Sequence, residues 1–127
     1  MNKFLLGWGL IFISALLDSY AAFMVKTQFN KMGAINFSSF SAFFDYLFTF
    51  FSSPLLVSAL IAFVCAPGIW FIALNKIDLS VGYPILVAFH LLFVLFFGVF
   101  FLHELMTLKK CIGAVLVLAS LYFFYSK

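Results

Sequence analysis

Two ionisable side chains lie inside long apolar stretches of this sequence and could carry chemistry there. Asp18 is the only charged residue in residues 4–25, and His90 lies within the apolar stretch 79–102. A lone carboxylate inside a bilayer costs about 2.5–3.5 kcal/mol on insertion scales, so it usually faces protein or a water-filled cavity. Asp18 could therefore exchange a proton for a cation, although it could also hold helices together by a hydrogen bond.

His90 has a less demanding explanation than Asp18. A neutral imidazole costs less in lipid than a charged group, so a hydrogen bond between two helices would account for His90. If the fold brings His90 next to Asp18, however, the two groups could act as a proton relay. Both interpretations are open from the sequence.

Two prolines lie inside apolar stretches. Pro67 precedes Gly68, and Pro84 follows Tyr83. Proline removes one backbone donor and bends a helix, which frees carbonyl groups that must face protein or water. We predict helix breaks at Pro67 and Pro84 near a transport site, because interrupted helices often mark such sites. Proline and glycine are also common in ordinary transmembrane helices.

Small residues form a stripe in the last apolar stretch of the chain. Gly113 and Ser120 are seven residues apart, which is two helical turns, so they share one helix face. Such a face suits close packing against a second copy of the chain. Packing within one chain would explain it equally well.

No enzymatic or metal-binding motif is present. His103-Glu104 lacks the second histidine of the metalloprotease pattern, and there is no phosphate-binding loop and no glycine-rich dinucleotide motif. We interpret Cys65 and Cys111 as two small buried apolar residues without a disulfide. The sequence therefore predicts no catalytic residue, no metal and no cofactor.

Composition excludes an ordinary soluble domain. Hydrophobic residues make up 67% of the chain and charged residues 9%, and the mean hydropathy is +1.25. A soluble domain is nearer one half apolar and one quarter charged. There is no arginine, and the lysines lie at the edges of apolar stretches, where they suit headgroup contact rather than nucleic-acid binding. They are Lys3, Lys26, Lys31, Lys76, Lys109, Lys110 and Lys127.

The apolar stretches predict an all-α membrane protein with a single transmembrane domain. A spanning helix needs about 20 mainly apolar residues, which predicts a four-helix transmembrane bundle. Residues 40–51 carry phenylalanines at helical spacing opposite polar residues. We predict a short interfacial amphipathic helix there, although it could also extend into the second span. The predicted spans are residues 4–25, 54–74, 79–102 and 111–125.

Membrane orientation is barely encoded in the charges. With four spans, one side of the membrane holds three lysines and the other four, which is almost no bias under the positive-inside rule. Either a partner sets the topology or the chain inserts both ways and pairs antiparallel. The N-terminal stretch also resembles a signal peptide with a small-residue cleavage site. Cleavage there would leave three spans and remove Asp18.

The sequence order in the second half of the chain resembles a known group of transporters. Residues 77–86 read IDLSVGYPIL, residues 102–105 read LHEL and residues 112–114 read IGA. This order resembles the small four-helix members of the drug/metabolite transporter superfamily, including EamA-like proteins. The similarity covers about residues 67–125 and is fainter through the first span.

Two branches of that superfamily compete. The chain is similar to the small multidrug resistance transporters, antiparallel dimers that exchange protons for cationic compounds. Asp18 lies eight residues before Lys26, at the place of that branch's essential glutamate, and Tyr83 matches its tyrosine. Leu86 stands where that branch has a tryptophan, and the chain departs from its pattern there.

The chain is also similar to subunits of the undecaprenyl-phosphate aminoarabinose flippase of the bacterial inner membrane. Tyr83-Pro84, His103-Glu104 and the long connection 26–53 fit this branch better. The resemblance implies a multi-pass protein that flips a lipid-linked sugar or related lipid, with Asp18, Tyr83 and His90 lining the path. It also implies a homodimer or a heterodimer with a similar small subunit. Proton-coupled export of small cations is the alternative, and a non-transporting scaffold subunit is the third.

Overall fold

Every regular element in the described part of the chain is an α-helix. The computed structural model describes the backbone of residues 3–33 and 38–125, and side chains within residues 5–33 and 38–124. The predicted anchors Lys3 and Lys127 have side chains outside the described residues. No β-strand occurs in the described ranges, so the all-α class is confirmed for them. The helices are α1 (Lys3–Met32), α2 (Phe40–Phe51), α3 (Pro54–Leu74), α4 (Leu79–Phe100) and α5 (Leu108–Tyr125).

Three of the five helices can cross a membrane by length and composition. They are α1 from Leu5 to Met32, α3 and α4, and they indicate a membrane protein. The 18 residues of α5 extend over about 27 Å at 1.5 Å per residue. A bilayer's hydrocarbon core is about 30 Å thick. The fourth crossing therefore stays a prediction.

Helix α1 is longer than its apolar stretch. The sequence predicted that residues 26–41 form a polar connection, but α1 continues through Lys26 and Lys31 to Met32. No helix breaker occurs before Gly33, whose φ of 80° ends the helix. The Gly33 N–H donates to the Phe29 carbonyl over 2.9 Å. At about 45 Å for 30 residues, α1 is longer than the hydrocarbon core.

Helix α2 occupies the predicted amphipathic segment and packs lightly on α1. Ser39 caps its N-terminus, where the side chain accepts the Ala42 N–H. The Phe50 ring is buried and lies 4.9 Å from the Phe29 ring of α1, whereas Phe40 is 82% exposed. One face of α2 thus joins the helices and the other is an open apolar surface. Its position in the membrane interface stays a prediction.

Helix α1 is the centre of the bundle and packs against both α3 and α4, while α5 packs on α4. The Tyr20 hydroxyl bonds to Ser58, and Ser14 bonds to the Ala66 carbonyl, so residue numbers fall along α3 as they rise along α1. Helices α1 and α3 are therefore antiparallel. Helix α4 runs parallel to α1, because residue numbers rise together along the two helices. The Phe12 ring contacts the rings of residues 89 and 93, and the Phe23 ring contacts that of residue 97.

The predicted helix breaks at Pro67 and Pro84 are absent. Helices α3 and α4 each continue through their proline without ending. One missing donor removes a single hydrogen bond, and the bonds on either side still hold the helix together in an apolar setting. The prolines therefore lie inside continuous helices.

Candidate functional site

The structure brings Asp18 and His90 together. The Asp18 Oδ2 atom on α1 lies 3.2 Å from the His90 Nδ1 atom on α4. Because α1 and α4 run parallel and both residues lie near the middle of their helices, the two groups meet between the ends of the bundle. The Asp18 side chain is 45% exposed and the His90 side chain is 36% exposed. The condition for a relay, that the two groups meet, is thus satisfied in the fold.

Ser19 completes the pair and was not predicted. Its buried hydroxyl lies 2.7 Å from the Ala15 carbonyl and 3.1 Å from His90 Nδ1. A hydroxyl has one proton to donate, and the shorter contact indicates that Ser19 donates it to the Ala15 carbonyl. A lone pair on Ser19 Oγ is then free to accept a hydrogen bond from His90 Nδ1–H. We therefore place the ring proton of a neutral His90 on Nδ1, where Asp18 and Ser19 can both accept a hydrogen bond from it. The Nε2 atom is then the acceptor that His90 offers to other molecules.

The charge of the pair limits what it can attract. An ionised Asp18 beside a neutral His90 carries one negative charge, and an imidazolium at His90 brings the pair to zero. Carboxylate oxygens accept hydrogen bonds and attract cations. The pair therefore suits ammonium groups and hydroxyl donors, and it offers nothing to a phosphate.

A wide groove opens beside the pair between α1, α2 and α3. Its volume is about 480 Å³, within the range of about 300–1,000 Å³ found for ligand sites. Every lining residue except Asp18 and His90 is apolar. We call it the wide groove; its other lining residues are Ala21, Ala22, Val25, Phe50, Phe51, Leu56, Ala59, Leu60 and Phe63.

Tyr83 borders a second space, on another side of the pair. This space has a volume of about 210 Å³ and is lined by Asp18, Tyr83, Leu86, Val87 and His90. Because Asp18 and His90 line both spaces, the pair lies between the wide groove and this second space. The three predicted site residues therefore lie close together. Their roles in substrate binding or proton coupling stay predictions.

Neither proline lines the wide groove or the second space. Pro67 is exposed, and the Ser14 hydroxyl donates over 2.8 Å to the carbonyl of the preceding Ala66. Pro84 is partly buried and follows Tyr83 in the chain. A role of the two prolines near a transport site stays a prediction.

The small-residue stripe on α5 faces outward at Gly113. A side chain added there would meet nothing within 4 Å. Ser120 is partly buried, and its hydroxyl donates to the Val117 carbonyl of its own helix over 2.7 Å. Gly113 is thus not used for packing against the described part of the chain, and the role of the stripe in a dimer stays a prediction.

Both cysteines are free thiols, but the expectation that both are buried is wrong for Cys65. Cys65 is exposed on α3, and Cys111 is partly buried. An apolar residue on a membrane helix can face lipid, so hydropathy does not report burial in protein. Within the described ranges, no group of three histidine, cysteine or acidic residues could hold a metal ion.

Comparison of the chain with protein-family models, with curated proteins and with solved structures finds no match.

Proposed function

We propose that this chain is a small membrane transporter that moves an amphiphile past the Asp18–His90 pair, with a lipid-linked sugar as the leading substrate class. The observation that carries the proposal is one carboxylate–imidazole pair that borders a wide groove whose other lining residues are all apolar. An amphiphile has the matching chemistry, because it combines a long apolar chain with one polar group.

The lining of the wide groove supports an apolar chain as cargo. Alanine, valine, leucine and phenylalanine side chains offer no hydrogen bonds to a small hydrophilic ion along the groove. Burying apolar surface is favourable by roughly 25 cal/mol per Å² where it leaves water. A polyprenyl or acyl chain also fits a groove that opens between helices rather than into a closed cavity.

The pair supports a neutral or cationic head on that amphiphile. Sugar hydroxyls or an amine would donate to the Asp18 carboxylate, and a hydroxyl would donate to His90 Nε2. A phosphate group on the amphiphile would lie away from the Asp18 carboxylate and close to lysines. Lys26 and Lys31 on the extension of α1 are exposed and suit that contact.

We propose that the working unit is a homodimer or a heterodimer with a similar small subunit. A half-exposed carboxylate facing lipid would cost about 2.5–3.5 kcal/mol on insertion scales, so a second subunit or water must cover it. Helix α5 would add the fourth crossing and offer its Gly113–Ser120 stripe. The resemblance in residues 77–86, 102–105 and 112–114 supports membership of the drug/metabolite transporter superfamily and a place in the bacterial inner membrane.

Proton-coupled export of small organic cations is the second candidate. The exposed fraction of Asp18 in the wide groove favours it, because a cation and a proton could compete for the same carboxylate. Leu86 weakens the case for aromatic cations, because it lines the space beside Tyr83 where a ring would be needed.

Reconstitution in liposomes tests these candidates together. The wild-type chain, alone and with any similar small subunit encoded beside it, is assayed for flipping of a fluorescent polyprenyl-phosphate sugar and for proton-driven uptake of guanidinium and tetraphenylphosphonium. We expect faster flipping than in empty liposomes. The triple variant Asp18→Asn, Tyr83→Phe, His90→Ala should lose it, and Asp45→Asn, which changes an exposed carboxylate on α2, should retain it.

Each outcome of this assay decides between the candidates. Cation uptake without lipid flipping, abolished by Asp18→Asn alone, would favour the antiporter. No activity toward any of these substrates would contradict a transporter and favour a scaffold. Full flipping by the triple variant would remove the pair from the mechanism.

A further inference from the structure

A third, smaller cavity lies between the C-terminal halves of α1 and α4. Its volume is about 100 Å³. It differs from the wide groove in its polar lining, since Ser19, Lys26 and Glu104 all border it. We call it the narrow cavity; its other lining residues are Ala22, Phe23, Val94, Phe97, Gly98 and Leu102.

The chain places a carboxylate at the outer end of the narrow cavity. His103 has a φ of 54°, and the Glu104 N–H donates to the Gly98 carbonyl over 2.9 Å, so the chain folds back onto the end of α4. A Cβ atom on Gly98 would lie 3.1 Å from Glu104 Oε2. The absence of a side chain at residue 98 therefore lets the carboxylate lie against the helix. Glu104 and Lys26 are both exposed, so the outer end is open and charged.

The inner end of the narrow cavity lies near the Asp18–His90 pair. Ser19 borders the cavity and contacts His90 Nδ1. Ala22 borders both the narrow cavity and the wide groove, and it lies one helical turn after Asp18 on the same face. Ala22 therefore lies between the two spaces, one turn from the carboxylate.

The size of the narrow cavity suits water and excludes the proposed cargo. One water occupies about 30 Å³ in the liquid, so there is room for a few molecules and none for an amphiphile. Lys26 and Glu104 supply polar partners for ordered water at the outer end, whereas the wide groove offers polar side chains at the pair alone. The ring of Phe23 stacks on that of Phe97 at 5.0 Å and forms one wall.

We propose that the narrow cavity is a water-filled route by which protons reach Asp18, separate from the wide groove that takes the cargo. This inference rests on the proposed function, in which Asp18 faces the cargo. A hydronium ion arriving at Ala22 gives one proton to an Asp18 carboxylate oxygen, and it leaves as water. The charged or titratable groups facing this route are Lys26 and Glu104 at its outer end, and His90 behind Ser19.

The separation has a mechanistic consequence. Cargo and protons approach Asp18 through different openings, so cargo seated in the wide groove does not block protonation of the carboxylate. Protons reach Asp18 from the side of the membrane where the C-terminal ends of α1 and α4 lie. Lys26 and Glu104 are on that side.

Water contact at two matched glycines tests the route without any substrate. Gly98 and Gly82 are both buried on α4, and each lies close to one end of that helix. Gly98 borders the narrow cavity, whereas Gly82 is packed against Ile77 and Trp70. The measurement is magnetisation transfer from water to the glycine Cα atoms, by solid-state NMR of the full chain in lipid bilayers.

We expect transfer to Gly98 to be at least about threefold faster than to Gly82, because only Gly98 borders a space large enough for water. Glu104→Leu, which replaces the carboxylate beside Gly98 with an apolar side chain, should bring Gly98 down to the Gly82 rate. Asp45→Leu on exposed α2 is the control and should change neither. Equal rates at the two glycines in the wild type would overturn the proposal, and an unchanged Gly98 rate in Glu104→Leu would overturn the role of Glu104.

The outcome is separable from that of the proposed function. A wet Gly98 that Glu104→Leu makes dry, in a chain that transports nothing, would uphold water in the narrow cavity and contradict the transporter. Lipid flipping by a chain with a dry Gly98 would uphold the transporter and overturn the route. If both hold, Glu104→Leu should slow any proton-linked transport without weakening cargo binding.

Discussion

The two faces of α1 are built from different side chains. Against α3, the contact is made of small buried residues, among them Ala21, Ala62 and Ala66, which let the two backbones approach closely. Against α4, the contact is made of large rings such as Phe12 and Phe23. Rings cannot fill all the space between two helices, and cavities remain beside them.

The difference assigns a role to each face. The α1–α3 contact is held by close packing and by hydrogen bonds such as Ser14 to the Ala66 carbonyl, so it is a rigid support. The α1–α4 contact holds the Asp18–His90 pair and borders the narrow cavity. The pair and the narrow cavity therefore lie on the face packed with rings, whereas the wide groove opens at the edge of the α1–α3 contact.

The largest expected effect is overpacking of the α1–α3 face. Ala62 is 6% exposed and lies in the same buried cluster as Ala21, so Ala62→Leu should lower the free energy of unfolding by about 1–3 kcal/mol, since extra methylene groups force the helices apart. Ile13→Leu, at a position 45% exposed, should stay within about 0.5 kcal/mol. Unfolding in mixed micelles measures both. Equal stability of Ala62→Leu and wild type would show that the α1–α3 face is not tightly packed.

The next effect concerns the pair on the other face. Asp18→Asn combined with His90→Ala should slow lipid flipping by about tenfold or more, equivalent to about 1.4 kcal/mol on the barrier. Stability should change by less than about 1 kcal/mol, because both side chains are partly exposed. Flipping rates and unfolding curves of the same samples provide the measurement. Loss of stability with unchanged flipping would instead make the pair a structural link between helices.

A smaller effect is expected from one hydrogen bond on the supporting face. Ser14→Ala removes the bond to the Ala66 carbonyl and should lower the free energy of unfolding by about 0.6 kcal/mol, the average for bonds between membrane helices, and by no more than about 1.7 kcal/mol. Ser120→Ala removes a bond within α5 only and serves as its control. Unfolding curves compare the two variants. A larger loss from Ser120→Ala would contradict the assignment of the support to α1 and α3.

The smallest effect on stability is expected at the outer stripe. Gly113→Leu adds a side chain in open space, so the isolated chain should change by no more than about 0.5 kcal/mol. If the stripe packs against a second copy, the same variant should weaken the dimer measured by energy transfer between labelled chains in liposomes. Val115→Leu, at an exposed position on α5, should leave the dimer intact. Identical dimer affinity in both variants would remove the stripe from the interface.

The local hydropathy pattern predicted much of the helical structure. It failed where neighbouring residues determine whether a helix continues. Apolar runs indicated α3 and α4, and phenylalanine spacing indicated α2. The extension of α1 to Met32 was missed because the polarity of residues 26–32 was interpreted as a loop, although no residue there stops a helix before Gly33. The breaks predicted at Pro67 and Pro84 failed because a proline lowers helix stability locally, while the surrounding apolar helix persists.

For the candidate site, the sequence by itself determined that Asp18 and His90 lie inside apolar helices, since hydropathy and helix length depend on neighbours along the chain. Whether two helices turn those side chains toward each other depends on packing angles and register, which no local pattern encodes. Only the tertiary structure decided that Asp18 and His90 meet at 3.2 Å and that Ser19 joins them. It also folded Glu104 back onto Gly98 at the outer end of the narrow cavity.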